Sequence, residues 1–162
     1  MDAQQLRLNS LIADIEAQEA ELKFPSFSNE DALGLGLALV EQARSQGAAV
    51  TIDIRRWGQQ LFHYAFPGTS ADNDQWLIRK ARVVERFGRS SLLVGARLAL
   101  SGLPIEEKYF VSPLEYSAHG GAFPICVEGT GPVGVVAVSG LPQEDDHALV
   151  VETLRSWLSR QR

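Results

Sequence analysis

His119 stands directly before the pair Gly120-Gly121 in the stretch EYSAHGGAFPICVEG. An imidazole changes charge close to neutrality, so it serves as an acid, a base or a ligand nitrogen. Loops on a rigid scaffold are where such groups usually work. The two glycines admit two readings: they permit positive φ where a strand begins, or they leave room for a planar ligand to approach the backbone. His147 offers the same chemistry from the first turn of a C-terminal helix. There the helix dipole disfavours its protonation and Asp146 favours it. His63 falls within a strand and reads as a packed or hydrogen-bonded residue.

Other groups converge on the same chemistry. Ser139-Gly140 ends a strand and turns into the helix that carries Glu144, Asp145, Asp146 and His147. Free N–H groups at such a start bind an anion or a carbonyl oxygen, and the nearby acids compete for that role. Lys80 follows Trp76 at i, i+4, so one helix face presents an ammonium and an indole. This lysine is placed to reach a carboxylate. Arg79, Arg82 and Arg86 form a basic stripe that reads as a solvated face. The three histidines lie far apart, without HxxxH or CxxC spacing, so no metal site is expected. No nucleophile elbow, P-loop or dinucleotide fingerprint occurs.

The elements that must position these residues follow from periodicity and breakers. Residues 3–22 read as an amphipathic helix through Leu8, Leu11, Ile12, Ile15 and Leu22. Ser28, with Asp31 three residues on, caps a second helix over 29–46. Leu33, Leu37 and Val40, with Gly34, Gly36, Ala38 and Ala43, mark its packing side. Residues 48–66 read as a β-hairpin turning at Trp57-Gly58. A two-residue loop sets Ile52 opposite His63, whereas a longer loop with a bulge brings His63 near Asp53. Helices follow from Ser70 to Phe87 and from about 90 to Gly102, then an irregular stretch over 103–118. Strands at 122–127 and 133–139 precede a last helix from Pro142 to about Arg160. Sequential strands joined by short turns pair antiparallel. Such a sheet can carry helices on one face and leave the other for contacts.

The totals narrow the class. The 162 residues, 45% apolar and 22% charged, suit a single domain over 1–162. A formal charge of −5 disfavours generic nucleic-acid binding. One cysteine, Cys126, excludes an intramolecular disulfide and suits a reducing cytosol. No membrane span is expected. The first residues lack the pattern of a signal peptide, so a cytoplasmic location is expected.

The segments VTIDIRRWGQQLFHYAFPGTS, KARVVERFG and GGAFPICVEGTGPVGVVAVSGLPQEDDHALV together resemble the haem-degrading-domain family, over about residues 24–158. That family includes proteins encoded with glycolate-utilisation genes and extracellular haem binders; the likeness is greatest to its cytosolic branch. The resemblance implies a profilin-like α/β (α+β) fold, with an antiparallel sheet of about five strands flanked by helices and here an extra N-terminal helix. It implies homo-oligomers, and haem as the cofactor or ligand. Its glycine-rich strand start falls on His119, Gly120, Gly121 and Pro124, its strand-to-helix turn on Ser139, Gly140 and Asp146, and its helix basic position on Lys80. His119, His147 or Tyr109 has the chemistry of an axial haem ligand.

Three functions are weighed. The first is a binding protein for haem or a small carboxylate, with Trp76, Lys80, His119, Gly120, Gly121, Ser139, Gly140 and His147 as candidate ligand contacts. The second is an enzyme of haem or small-organic-acid metabolism with a histidine acid–base. The third is an interaction scaffold, in which helix 3–22 docks on a neighbouring subunit or partner. Binding is preferred, because the chemistry-bearing residues form no compact catalytic signature.

Overall fold

The computed structural model describes residues 1–161. In chain order the elements are α1 (Ala3–Glu21), β1 (Lys23–Phe24), α2 (Asn29–Ser45), β2 (Thr51–Arg56), β3 (Gln59–Ala65), α3 (Ala71–Phe87), α4 (Ser91–Ser101), α5 (Ile105–Tyr109), β4 (Ala122–Val127), β5 (Gly131–Ser139) and α6 (Gln143–Arg160). The strands form one sheet in the order β1-β4-β5-β2-β3. Every pairing is antiparallel except that of β1, which runs parallel to β4. The short β1 and α5 add to the elements expected from sequence: neither spans enough residues to show a periodicity.

Helices cover both faces of the sheet, the flanked arrangement that the resemblance implies. Ile52, Ile54, Phe123, Ile125, Val136 and Val138 face Leu35 and Leu39 of α2 and Leu149 and Leu154 of α6. The alternate residues Ala122, Val135 and Ala137 face Leu77, Ala81 and Val84 of α3. Period-2 strands can serve two helix layers only if both residue sets are apolar, and these are. Small alanines on the α3 side let that helix lie close to the strands.

One packing expectation changes. On α2, Leu33 and Leu37 are 46% and 55% exposed, and the buried side is Ala32, Leu35, Gly36, Leu39 and Ala43. The glycines mark the contacts, since a Cβ on Gly34 would collide with Trp157 and one on Gly36 with Phe62. Helix α1 packs one face within the chain. Ile15 packs with Leu92 and Leu93 of α4, supported by Leu11 and Ile12, and Gln18 bonds His147 of α6.

The hairpin combines the two registers weighed for it. Trp57-Gly58 is a two-residue turn between Arg56 and Gln59, yet a bulge beside Ile54 and Arg55 shifts the pairing so that Asp53 faces His63. Asp53, 3% exposed, accepts from Arg55 Nε and Gln60 Nε2, both at 2.6 Å, and lies 3.1 Å from His63 Nδ1. His63 Nε2 is 3.1 Å from Asp74 of α3. His63 thus ties the edge strand to that helix.

Candidate functional site

Four elements meet at one end of α3. The helix presents Trp76 and Lys80 one turn apart. The end of β5 brings Ser139, the turn into α6 brings Gly140 and Asp146, and the approach to β4 brings His119. Together they line a cavity of about 290 Å³, with Asp72, Asn73, Leu141 and Gln143 completing it. Trp76, Lys80, His119, Ser139 and Gly140, all singled out in the sequence, therefore converge although they stand far apart along the chain.

The floor is a buried ion pair. Lys80 Nζ donates to Asp146 Oδ2 at 3.2 Å and to the Val138 carbonyl at 3.1 Å. The same carboxylate accepts from the backbone N–H of Gly140 at 3.3 Å and of Leu141 at 3.0 Å. The N–H groups of this turn are thus satisfied by the protein's own acid. Burial pushes the Lys80 pKa down and the Asp146 pKa up, and for each the attraction of its partner only partly opposes that.

His119 forms the lip. Its Nδ1 is 2.8 Å from Ser117 Oγ, and its ring meets Trp76 edge-on with centroids 5.4 Å apart. Nε2 has no protein partner among the described residues. Burial lowers the His119 pKa, and the charges of Lys80 and Arg79 lower it further. At neutral pH the ring is therefore neutral and carries a nitrogen available to a ligand.

The glycine pair has a structural explanation. A Cβ on Gly120 would collide with the Gln143 carbonyl oxygen, and one on Gly121 would collide with the Val138 carbonyl oxygen and stand 2.8 Å from Lys80 Nζ. Gly121 also has φ 130°. Protein atoms fill the space left by the missing side chains, so these residues let strand, lysine and α6 converge. Gln143 contributes by accepting the Gly120 N–H at 3.0 Å.

His147 and Tyr109 lie elsewhere. His147 is 4% exposed, bonded through Nε2 to Gln18 Oε1 at 2.7 Å, and burial lowers its pKa to about 4. Tyr109 packs on Phe87 with centroids 4.6 Å apart. The arginine stripe proves more than a solvated face. The Arg79 guanidinium stacks on Trp76 at 4.5 Å from the ring centre and donates to the Pro113 carbonyl, while Arg82 donates to the Glu115 carbonyl. The i, i+3 spacing is visible in sequence, but its acceptors are backbone carbonyls of an irregular loop and leave no residue signature.

Among the described residues, no group of three or more His, Cys, Asp or Glu is arranged to hold a metal ion, and no helix is long and apolar enough to cross a membrane.

Comparison with known proteins places this geometry. A UPF0303 protein of Streptomyces avermitilis is 56% identical over 149 residues, spanning 92% of this chain and 91% of that one. The crystal structure of the Ybr137w protein superposes with a TM-score of 0.87 at 30% identity, covering 99% of this chain and 97% of that one. The PduOC–haem complex shares the fold, with a TM-score of 0.67 at 18% identity over 82% of this chain and 94% of that one. The model of the family described as "Haem degrading protein HbpS-like" matches residues 27–155. With its five-stranded sheet and flanking helices, the chain belongs to this HbpS-like haem-degrading family.

Proposed function

We propose that the chain is a ligand-binding protein whose site is the His119 cavity and whose ligand is haem. The observation that carries this reading is the state of His119. It is a neutral imidazole with Nδ1 anchored on Ser117 and Nε2 directed at no protein group. An axial haem ligand needs that arrangement, because the second nitrogen fixes tautomer and ring orientation while the first coordinates. The family description and the haem complex of a structural neighbour support the same ligand. Bound haem would supply the iron, and His119 Nε2 would hold it with Trp76 beside the imidazole.

The cavity, about 290 Å³, lies near the lower end of small-molecule sites, roughly 300–1,000 Å³. It grips part of a macrocycle and does not enclose one. The expected homo-oligomer belongs to this reading, since a second copy would cover the part left outside. Lys80 is already matched by Asp146, so a ligand carboxylate gains less from it than its charge alone implies.

Titrating the purified protein with haem tests the proposal. A saturable Soret shift, weakened at least tenfold in His119→Ala, is the expected result. No saturable shift, or an unchanged one in a folded His119→Ala protein, would falsify it. The buried Lys80–Asp146 pair favours one second reading, an enzyme that moves a proton within the cavity. Irreversible loss of the bound-haem spectrum with reductant and dioxygen together, but not with reductant alone, and abolished in Asp146→Asn, would be its signature.

A further inference from the structure

A second cavity of about 280 Å³ adjoins the first, with His119 as their common wall. Its character differs. Leu98, Pro104, Ile105, Pro113 and Tyr116 supply apolar surface, and two charged residues, Arg79 and Glu106, border it. Glu106 is exposed on the five-residue α5, where water solvates its charge. Arg79 is not so placed. Its Nε–H is sealed from solvent and has no acceptor, and the guanidinium has no carboxylate partner among the described residues. A partly desolvated cation beside apolar walls is the electrostatic complement of a carboxylate on an apolar body.

We infer that this second cavity is a subsite for a small apolar monocarboxylate, aromatic or branched, held by Arg79. The assignment goes beyond haem binding and rests on Arg79 and the apolar walls, with His119 the one residue lining both chambers. Rigid parts shape the chamber. A Cβ on Gly95 would collide with the Ala118 carbonyl oxygen, so this glycine lets the 116–119 segment press onto α4 as the chamber's inner wall. The chambers are electrostatically linked. Arg79 helps hold the His119 pKa down, so an anion beside Arg79 raises it.

Sodium benzoate is the probe, titrated into the full chain and followed by amide and imidazole resonances. Saturable shifts are expected at Gly95, Ile105 and Ala118, with the His119 titration moving to higher pH. Uncharged benzamide is expected to bind at least tenfold more weakly. Arg79→Gln is expected to weaken benzoate about tenfold, as loss of one charge-assisted hydrogen bond does. Equal affinity for benzamide and benzoate overturns the assignment. So do shifts confined to Lys80 and Gly140, or no saturable shift at all. Should Arg79→Gln fail to fold, the wild-type comparison of the two probes decides by itself. The haem titration reads the other chamber, so failure of haem to bind leaves the benzoate result standing, and the converse holds.

Discussion

Lys80 and Asp146 are 3% and 1% exposed and bonded to each other. Their pKa values move toward neutrality, which means that burial costs each ion more than its partner returns. Single substitutions strand a charge: Lys80→Met and Asp146→Asn are each expected to cost about 3–5 kcal/mol in urea unfolding. The double variant keeps an amide oxygen at position 146 that can still accept from the Gly140 and Leu141 N–H groups. It is expected to lie within about 1 kcal/mol of wild type. A double variant several kcal/mol less stable than wild type would show that the pair is a net stabiliser, and one equal to the sum of the singles would show that the two residues are not coupled. His147 sets a separate pH limit. Folded, its pKa is about 4, against about 6.5 unfolded. Its contribution is complete above the unfolded value and is lost as pH falls from about 6.5 toward 4, because the unfolded chain takes up the proton first. The loss amounts to about 3 kcal/mol. Urea midpoints at neutral and acid pH should therefore differ less in His147→Gln than in wild type; an identical acid limb would assign the loss to other groups.

At the scale of elements, what is legible in the sequence depends on range along the chain. Ser28 and Asp31 exchange the two bonds of a capping box, as their spacing predicts. Gly88 and Gly102 end their helices in the left-handed conformation. These are interactions within four residues, and four residues of sequence are enough to read them. The His119 cavity is legible in its members, because loop, helix turn and strand end each carry a chemical group. It is not legible in its wiring. That Lys80 meets Asp146 depends on α3 crossing the sheet opposite α6, and that Gly121 must be glycine depends on Val138. The hairpin register shows the same limit: Trp57-Gly58 marks the turn, but the bulge that brings His63 to Asp53 has no local marker. The arginine clasp of α3 on the 113–115 loop leads to a prediction at this scale. Arg82→Ala removes one loop carbonyl's donor and leaves the two cavities intact. It is expected to increase amide exchange in residues 112–117 with a change in global stability of about 1 kcal/mol or less. Unchanged exchange in that loop would mean that Arg79 alone secures it.

For the whole molecule, the decisive question is what α1 contributes to this chain's own core. One face of the helix packs within the chain. Ile15 is 1% exposed against Leu92 and Leu93. Glu19, 8% exposed, accepts from the Ser90 N–H at 3.2 Å and its Oγ at 3.0 Å, so α1 supplies the acceptor at the start of α4. Gln18 holds His147, and Arg7 reaches Glu144 at 2.7 Å. Removing residues 1–21 uncovers Leu92 and Leu93, takes the Glu19 acceptor from the Ser90 N–H and O–H, and takes Gln18 from His147. Burial of one large aliphatic residue contributes about 1.5–3 kcal/mol, and each orphaned polar group costs about 1–3 kcal/mol. The truncated chain is therefore expected to lose most of a marginal stability of about 5–15 kcal/mol. Ile15→Ala offers a milder test, expected to cost about 2–5 kcal/mol. An assembly role predicts the reverse pattern: unaltered urea midpoints with a lower sedimentation mass. The proposed homo-oligomer would have an apolar strip to use at Leu33 and Leu37 of α2, exposed beside the edge strand β3. Leu33→Glu with Leu37→Glu should accordingly lower the sedimentation mass and leave the unfolding midpoint of the protomer almost unchanged. Ile15→Ala should do the opposite. If both variants left the mass unaltered, neither face would be holding copies together.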